Sequence, residues 1–361
     1  MSSDPYLPSS PLLPIGVALI GLSAQALEHA DAVRSVEGLA VVMLCDSDPA
    51  QIERARQRLG DSIPATSSLD EAMACPGVQL AVVVLPHDQH RRAIEAAARH
   101  GVHVLKEKPL GRTLREALEI RDLAESAGII VHTGVQRRFH ATYAWLREAL
   151  QRAASEGDMP IAASLDITIV RSRLPGVATT WRDHPTRAGG GILVDLGYHA
   201  VDLLHFLLGP MELLSCTLGR DGLPCQREDL ETWAFVQARA GAAWVSLRVG
   251  VGETKQERIR VDMHDGSWIA GRDKVHWVPR GETPRERFSA DQSWSMTQRH
   301  QIAAVATAVR DIQGEARSGE GETGSRAGAT VDPIAQGATA IFIDQCYAQA
   351  ASLAFAAGAL R

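Results

Sequence analysis

The sequence predicts an α/β domain followed by a largely antiparallel β-sheet domain that carries helices, an α/β + α+β fold class. Three observations lead to it. The chain has 361 residues, more than a single hydrophobic core usually serves. Up to about residue 135, short apolar segments alternate with helical segments, which is typical of a parallel sheet with crossover helices. After that point apolar and polar residues alternate one by one, which is typical of antiparallel strands with one covered face.

The α/β domain is predicted over residues 15–135, after a segment, 1–14, that is rich in proline and serine and is expected to be a loosely ordered extension. Its first strand, 15–20, is followed by a glycine turn and a helix that runs to about residue 36. Later strands are expected at 41–45, 80–85, 102–105 and 129–131. The helices carry start and stop signals: Asp48 before Pro49, capping boxes at 68–71 and 113–116, and the glycines Gly101 and Gly128.

The second domain is predicted over residues 136–361. Alternating segments indicate strands around 165–169, 245–249 and 259–263. Four aromatic residues fall in or near further strand-like segments: Trp233, Phe235, Trp268 and Trp277. Residues 314–330 are rich in glycine, serine and glutamate, and we expect a flexible loop there between two C-terminal helices.

Composition restricts the class of protein. The formal net charge of −6 gives no general attraction to nucleic acid or to an anionic membrane. No apolar run approaches the roughly 20 residues that span a bilayer, and the N-terminus lacks the pattern of a signal peptide. The five cysteines are scattered and form no C-x-x-C pair, and their odd number argues against a full disulfide framework. We therefore expect a cytoplasmic protein with a small-molecule substrate, and with neither nucleic acid nor membrane as partner.

The turn after the first strand, residues 21–26, partly matches the G-x-G-x-x-G fingerprint of dinucleotide-binding domains. Only Gly21 is kept, while Ser23 and Ala26 are small residues in the other two glycine positions. Taken alone, the hexapeptide fits an ordinary βα turn equally well. Asp46 ends the second strand, where an acid can bind the adenosine ribose and disfavour a 2′-phosphate. This favours NAD, with NADP as the alternative; Asp46 could instead be a loop residue or a helix cap.

Polar residues follow the next strands at the edge of the sheet where ligands bind. Lys106-Glu107-Lys108-Pro109 comes directly after the strand at 102–105. A lysine whose pKa is lowered by burial can give and take protons there. The loop after the third strand contains His87 and His90, which could form a metal pair, but no carboxylate or thiol cluster is nearby.

A third polar segment follows three consecutive glycines at 189–191. Asp195, His199 and Asp202 are spaced i, i+4, i+7, which predicts one face of a helix. A carboxylate one turn from an imidazole can orient it and raise its pKa. The same pattern also fits a core histidine that is satisfied by its neighbours, or a metal site formed by the two acids and the histidine.

Together these segments resemble the Gfo/Idh/MocA oxidoreductases, from Ile15 to about Leu353. The resemblance rests on the order and spacing of its motifs: Gly21 with His29, 46–49, 86–90, Glu107-Lys108-Pro109, 136–139, Trp181-Arg182, and the glycines with Asp195 and His199.

The resemblance implies a Rossmann dinucleotide-binding domain and hydride transfer between a nicotinamide and a secondary alcohol or ketone of a sugar, cyclitol or related molecule. Lys108 and His199 would be the acid/base groups, and Asp195 would hold His199 or the substrate hydroxyls. Glu107 would be structural or would face the cofactor, Lys106 a solvated neighbour, and Pro109 would follow a cis bond. Implied cofactor residues are Gly21, Ser23, Ala24, Gln25, Asp46, Pro86, His87, His90, Glu107 and Lys108. Implied substrate residues are Gln136, Arg138, Trp181, Arg182, Asp195, Tyr198 and His199.

By resemblance no metal is needed, and the second sheet pairs subunits into a homodimer or homotetramer. Three alternative functions stay open. One is the reduction of another C=O or C=N bond, because the fold tolerates a change of substrate. Another is a ligand-sensing protein that binds a dinucleotide without turnover. The third is a metal-dependent hydrolase that uses Asp195, His199 and Asp202.

Overall fold

The computed structural model describes residues 15–170, 180–291, 293–318 and 333–358. These divide into two compact units. The first unit contains the described residues up to Gly111, Arg115–Phe139, and the described residues between Ser293 and Ile334. The second contains Arg112–Leu114, the described residues between His140 and Gln292, and those from Ala335 onward. The expected N-terminal extension and residues 319–330 of the expected loop lie outside the described residues. The prediction of a loop from residue 314 is wrong at its start, because the helix Trp294–Ser318 continues through 314–318.

The first unit is built on a six-stranded sheet in which all neighbouring strands are parallel. The order β3-β2-β1-β4-β5-β6 is the one found in doubly wound dinucleotide-binding folds. The predicted Rossmann architecture is therefore confirmed, and most strands begin one or two residues from their predicted positions. The strands are β1 Ile15–Ile20, β2 Leu39–Cys45, β3 Ala65–Thr66, β4 Val78–Val83, β5 His103–Lys106 and β6 Val131–Thr133.

Four helices of this unit begin or end at a predicted signal. Asp48 caps its helix by accepting a hydrogen bond from Ala50 N at 2.9 Å. Ser68 Oγ accepts one from Glu71 N at 3.3 Å. Gly101 and Gly128 end their helices with φ of 66° and 64°. The helices are α1 Ala24–Ser35, α2 Pro49–Leu59, α3 Leu69–Ala74, α4 His90–His100 and α5 Leu114–Ala127.

The second unit is built on a nine-stranded sheet of order β15-β14-β13-β12-β7-β11-β10-β8-β9. Its neighbouring strands are antiparallel except for β7 and β11, which are parallel because β7 inserts between β11 and β12. The largely antiparallel second sheet is thus confirmed, with one parallel pair. The strands are β7 Ala162–Ile169, β8 Glu212–Arg220, β9 Leu223–Pro224, β10 Trp233–Ala240, β11 Ala243–Val251, β12 Gln256–Asp262, β13 Gly266–Ala270, β14 Lys274–Pro279 and β15 Arg285–Ser289.

The remaining helices are α6 Ala141–Ser155, α7 Pro185–Ala188, α8 Tyr198–Leu208, α9 Trp294–Ser318 and α10 Pro333–Gly358. The stretch Pro185–Leu208 is long and apolar enough to cross a membrane, but most of it is buried inside the second unit, as a core helix would be. The sequence placed all residues after 135 in one domain, whereas α9 packs with the first unit. Its buried residues Ile302, Val305 and Val309 join the hydrophobic core around β1 and α1.

Candidate active site

The turn after β5 is hydrogen-bonded into the first sheet on both sides. Glu107 N donates to Val83 O of β4 at 2.9 Å, and Gly134 N donates to Lys106 O at 2.6 Å. The Lys108–Pro109 bond is cis, as expected. The turn therefore lies at the carboxyl edge of the sheet, where doubly wound folds bind ligands.

Lys106 is buried under this turn, with 1% of its surface exposed. Its Nζ donates hydrogen bonds to Pro109 O and, at 3.2 Å, to Leu110 O. Burial lowers the pKa of Lys106 to about 7, although the negative charges of Glu116 and Glu107 act to raise it. The interpretation of Lys106 as a solvated neighbour is wrong, because the chain folds back at Pro109 and its carbonyl groups cover the ammonium.

Glu107 points into the first unit, where its Oε1 lies 2.9 Å from Nε2 of His29 in α1. Burial alone would raise the pKa of Glu107, but the hydrogen bond and charge of His29 hold it below its usual value. Lys108 stands between these anchored residues and is the half-exposed member of the tetrapeptide. The turn thus fixes its backbone and presents one lysine at the ligand-binding edge.

The glycine turn after β1 has one position that only glycine can fill. Gly21 has φ +82°, and a Cβ there would lie 2.3 Å from Val84 O. Ala26, in the third glycine position, is completely buried, so the helix packs on the strand with a methyl group between them. Ser23 and Ala24 are exposed, and the N-cap Ser23 makes no side-chain capping bond at the start of α1. An uncapped helix N-terminus at this position fits a pyrophosphate.

Asp46 is held at the end of β2 by two backbone amides. Its Oδ2 accepts from Leu22 N at 2.7 Å, and its Oδ1 accepts from Asp48 N at 2.9 Å. Each carboxylate oxygen can accept a second hydrogen bond, so both remain able to receive ribose hydroxyls. Asp48, rather than Asp46, caps α2, so the helix-cap reading of Asp46 is wrong. These residues fit a dinucleotide at the carboxyl edge of the first sheet.

The loop after β4 turns its histidines inward. Pro86 precedes a single 3-10 turn, and both His87 and His90 are buried. His90 Nε2 makes a 3.0 Å hydrogen bond with Leu85 O. Burial, with the charge of Lys106, lowers the pKa of His90 well below its usual value. A neutral, inward His90 supports the loop and the neighbouring Lys106 turn. In the described ranges no three His, Cys, Asp or Glu residues are grouped as a metal site would require.

In the second unit, the three glycines allow close packing around Glu231. A Cβ on Gly190 would lie 2.2 Å from Tyr347 Oη, and one on Gly191 would lie 2.2 Å from Glu231 O. The buried Glu231 accepts hydrogen bonds from Gly191 N at 3.0 Å, from Leu193 N at 3.0 Å and from Tyr347 Oη at 2.7 Å. Burial raises the pKa of Glu231, and these donors oppose the shift. Glu231 therefore fixes the start of the segment that carries Asp195.

The predicted regular helix through Asp195, His199 and Asp202 is wrong in its first turn. Residues 193–197 form a π-helical turn, and α8 begins only at Tyr198. Asp202 is fully buried beside Thr339 Oγ1, at 3.5 Å, whereas the Asp195 side chain is partly exposed. The three residues do not form a metal-binding group in the part of the chain that is described.

Asp195 has two of the expected substrate residues beside it. Arg182 Nε lies 3.9 Å from Asp195 Oδ1. The same guanidinium stacks on the ring of Trp181 at 4.2 Å from its centroid. His199, on the first turn of α8, is 8% exposed. The second unit therefore brings Trp181, Arg182 and Asp195 together, while Tyr198 is buried in the core.

Two other expected substrate residues lie inside the first unit. Gln136 and Arg138 belong to the turn at 136–139 and are almost fully buried. Burial and the charge of Arg138 lower the pKa of His132 to about 3. Gln136 Oε1 has no hydrogen-bond partner among the described residues. Arg138 therefore acts on the charge of His132 inside the first unit, and Oε1 of Gln136 is an acceptor without a donor among the described residues.

Three residues that the sequence did not single out support the segments described above. His29 was noted only as part of the resemblance, Glu231 is an isolated acid before a strand, and Gln301 lies in α9, which was assigned to the other domain. Gln301 Nε2 lies 3.2 Å from His132 Nε2. A long-range partner cannot be read from the local pattern around any of them.

Comparison with known proteins gives matches in both units. Residues 15–135 match the model of the oxidoreductase family with an NAD-binding Rossmann fold, and residues 149–269 match the GFO/IDH/MocA C-terminal domain. A 1,5-anhydro-D-fructose reductase of Ensifer adhaerens is 32% identical over 57% of this chain and 62% of its own length. A D-xylose 1-dehydrogenase (NADP(+)) of Haloferax volcanii is 29% identical over 56% of this chain and 57% of its own length. The chain thus matches about three fifths of the length of these two relatives.

Solved structures support the fold. Levoglucosan dehydrogenase, in a complex with NADH and levoglucosan, has a TM-score of 0.77 over 94% of this chain and 97% of its own, at 18% sequence identity. An oxidoreductase from Agrobacterium radiobacter in complex with NAD+, L-tartaric acid and magnesium has a TM-score of 0.75 over 93% of this chain and 96% of its own, at 19% identity.

Proposed function

The chain belongs to the Gfo/Idh/MocA family of oxidoreductases, and on that premise we propose that it transfers a hydride between a nicotinamide dinucleotide and a secondary alcohol or ketone of a sugar, cyclitol or related small molecule. The observation that carries the proposal is the position of Lys108. It is the half-exposed residue of a turn whose other members are buried, at the ligand-binding edge of an NAD-binding fold.

The dinucleotide is held by residues of the first unit. The uncapped start of α1, at Ser23 to Gln25, receives the pyrophosphate, and Asp46 receives the hydroxyls of the adenosine ribose. A carboxylate at this point repels a 2′-phosphate, so we assign NAD as the preferred cofactor and NADP as the weaker one. When bound, the nicotinamide supplies or accepts the hydride. The name of the related xylose dehydrogenase specifies NADP(+). The preference of this chain for NAD or NADP therefore has to be measured directly.

The protein supplies proton transfer through Lys108 and His199. An alcohol that loses a hydride must also lose its hydroxyl proton, and a positioned side chain accelerates this transfer. We assign the proton to Lys108 or His199, and the charge of the Lys108 ammonium stabilises the developing alkoxide. Asp195, beside Arg182, orients His199 or a substrate hydroxyl. In the reverse direction the same groups protonate the reduced ketone.

Membership of the family also guides our proposals for the partners and the cellular location of the protein. Two large apolar side chains, Phe235 of β10 and Trp244 of β11, lie exposed on the same face of the second sheet. Exposed apolar side chains on one sheet face support a homodimer or homotetramer formed through this sheet. We place the protein in the cytoplasm, without nucleic acid or membrane as partner.

The test is a turnover screen with purified protein. Reduction of NAD+ is followed at 340 nm with a panel of polyols and aldoses, and oxidation of NADH with the corresponding ketones and with a set of imines. Lys108→Met should abolish turnover and keep the affinity for NADH within about twofold of the original. Wild-type turnover in Lys108→Met would reject the assignment. Saturable NADH binding without turnover across the panel would favour the ligand-sensing alternative, and turnover only with imines would favour the C=N reductase.

A further inference from the structure

Lys106 connects the end of β5 to the far side of the turn that carries Lys108. Its backbone is fixed in the sheet, because it is in register with Val83 of β4 and Thr133 of β6. Its side chain reaches forward to the carbonyl groups of Pro109 and Leu110. A rigid point of the sheet is thereby bonded to the two residues that follow Lys108.

The residue before Lys108 is fixed in a different way. Glu107 is bound through its carboxylate to His29 of α1, at 2.9 Å. Lys108 is therefore flanked on one side by a residue held from α1 and on the other by residues held from Lys106. The backbone of a catalytic side chain has to be held within a few tenths of an ångström, and such flanking contacts do this.

An ammonium is an expensive group to place here, since the preceding residues of β5, Val104 and Leu105, are completely buried. Titratable groups face it from several elements: Glu107 and Lys108 on its own turn, Glu116 on α5, and the imidazole of His90 on α4. Burial still dominates, because the pKa of Lys106 falls to about 7 despite both acids. An apolar residue would satisfy the core of the unit at less cost in stability.

We propose that Lys106 is a positioning residue, whose buried ammonium holds the turn that presents Lys108 for proton transfer. The proposal rests on the proposed role of Lys108. A group that costs stability and binds the backbone on the far side of a catalytic lysine is a functional element of the site. Lys106 does not itself touch substrate or cofactor; it acts through the carbonyl groups of Pro109 and Leu110.

The experiment compares Lys106→Met, which keeps the length of the side chain and removes its donors, with Lys106→Gln, which keeps a neutral donor. Lys274→Met is the matched control, because Lys274 is an exposed lysine paired with Glu286 at 2.6 Å on the second sheet. For each variant kcat, KM, NADH affinity and the midpoint of urea unfolding are measured. We expect Lys106→Met to lower kcat at least tenfold, with NADH affinity within twofold and an unfolding midpoint that is not lowered. Lys106→Gln should lie between it and wild type, and Lys274→Met should match wild type.

The chain has four lysines, at 106, 108, 255 and 274, so incorporation of lysine labelled with 13C at Cε gives one NMR signal for each. The signal of Lys108 should shift in Lys106→Met and stay unchanged in Lys274→Met, which reports the turn without any turnover. An unchanged Lys108 signal together with wild-type kcat would overturn the proposal. A fall in kcat that is matched by falls in NADH affinity and unfolding midpoint in both Lys106 variants would assign a purely structural role and overturn it as well.

Failure of the proposed function looks different from failure of this inference. If Lys108→Met keeps its turnover, the role of Lys108 is rejected and the inference loses its premise. If Lys108→Met is inactive while Lys106→Met has wild-type kcat and KM, only the positioning role of Lys106 is rejected.

Discussion

His29 Nε2 lies 2.9 Å from Glu107 Oε1, and both side chains are buried in the first unit. The bond joins α1, which starts at the glycine turn, to the turn after β5 that carries Lys108. The two ends of the proposed dinucleotide site are therefore tied together by one pair of side chains.

Removal of His29 should destabilise the protein strongly. His29→Leu leaves the Glu107 carboxylate buried without this partner, and such changes cost about 3–5 kcal/mol. The pKa of Glu107 is held below its usual 4.5 in the folded state. The contribution of the pair is therefore fully present above about pH 4.5 and is lost as the pH falls below it. Urea unfolding of both proteins at several pH values from 4 to 7 measures the difference.

The double variant His29→Leu, Glu107→Leu provides the control. It should be more stable than His29→Leu alone, because no buried charge remains. Equal stabilities of the single and double variants would mean that the carboxylate of Glu107 is not the source of the cost.

Because of Lys106, the free energy of unfolding of the protein should rise with pH. Its pKa is about 7 in the folded protein and near 10.5 when unfolded. The unfolded chain therefore binds more protons between these values. Charging Lys106 costs the folded state most at and below pH 7, and this cost fades as the pH rises toward 10.5. Relative to Lys106→Met, wild-type protein should gain about 2 kcal/mol in free energy of unfolding between pH 7 and pH 9. Parallel denaturant titrations measure this gain, and a constant difference between the proteins would contradict the lowered pKa.

The parallel α/β architecture of the first sheet was predictable because each of its signals is local. A few neighbouring residues are enough to show a glycine stop such as Gly101, the cap at Asp48 or a short apolar strand. The right-handedness of crossover connections then leaves few possible topologies for the sheet. The burial of Lys106 was not predictable in this way. It depends on the path of the chain after Pro109, which brings two carbonyl groups back over the strand end.

The prediction of a regular helix through Asp195 was wrong for a related reason. A spacing of i, i+4 fits an α-helix and a π-helical turn equally well, since the span of their backbone hydrogen bonds differs by only one residue. What selects the π-helical turn is distant in sequence: Glu231 binds Gly191 N and Leu193 N from the loop before β10. Likewise, the joining of α9 to the first unit depends on which core its apolar face fills, and periodicity alone does not say this.

Asp46 should control the choice between NAD and NADP. Asp46→Asn keeps an acceptor oxygen for one backbone amide and removes the negative charge that repels a 2′-phosphate. We expect the ratio of NADP to NAD affinity to rise about tenfold, which corresponds to about 1.4 kcal/mol. Fluorescence titration with NADH and NADPH measures both affinities. The exposed Asp61, on the loop after α2, is a suitable control site for Asp→Asn. An unchanged ratio in Asp46→Asn would remove its assignment to the ribose.

Glu231 should be needed for the shape of the segment that carries Asp195. Glu231→Ala leaves Gly191 N, Leu193 N and the hydroxyl of Tyr347 without their shared acceptor, and each such buried group costs about 1–3 kcal/mol. Tyr347→Phe removes one donor and keeps the other two bonds, so it should cost only about 1 kcal/mol. Because these bonds fix the π-helical turn of Asp195, Glu231→Ala should also raise KM for the substrate while leaving NADH affinity, a property of the first unit, within about twofold. Urea unfolding and initial-rate kinetics measure the two effects, and a normal KM in a folded Glu231→Ala protein would show that the turn holds its shape without this carboxylate.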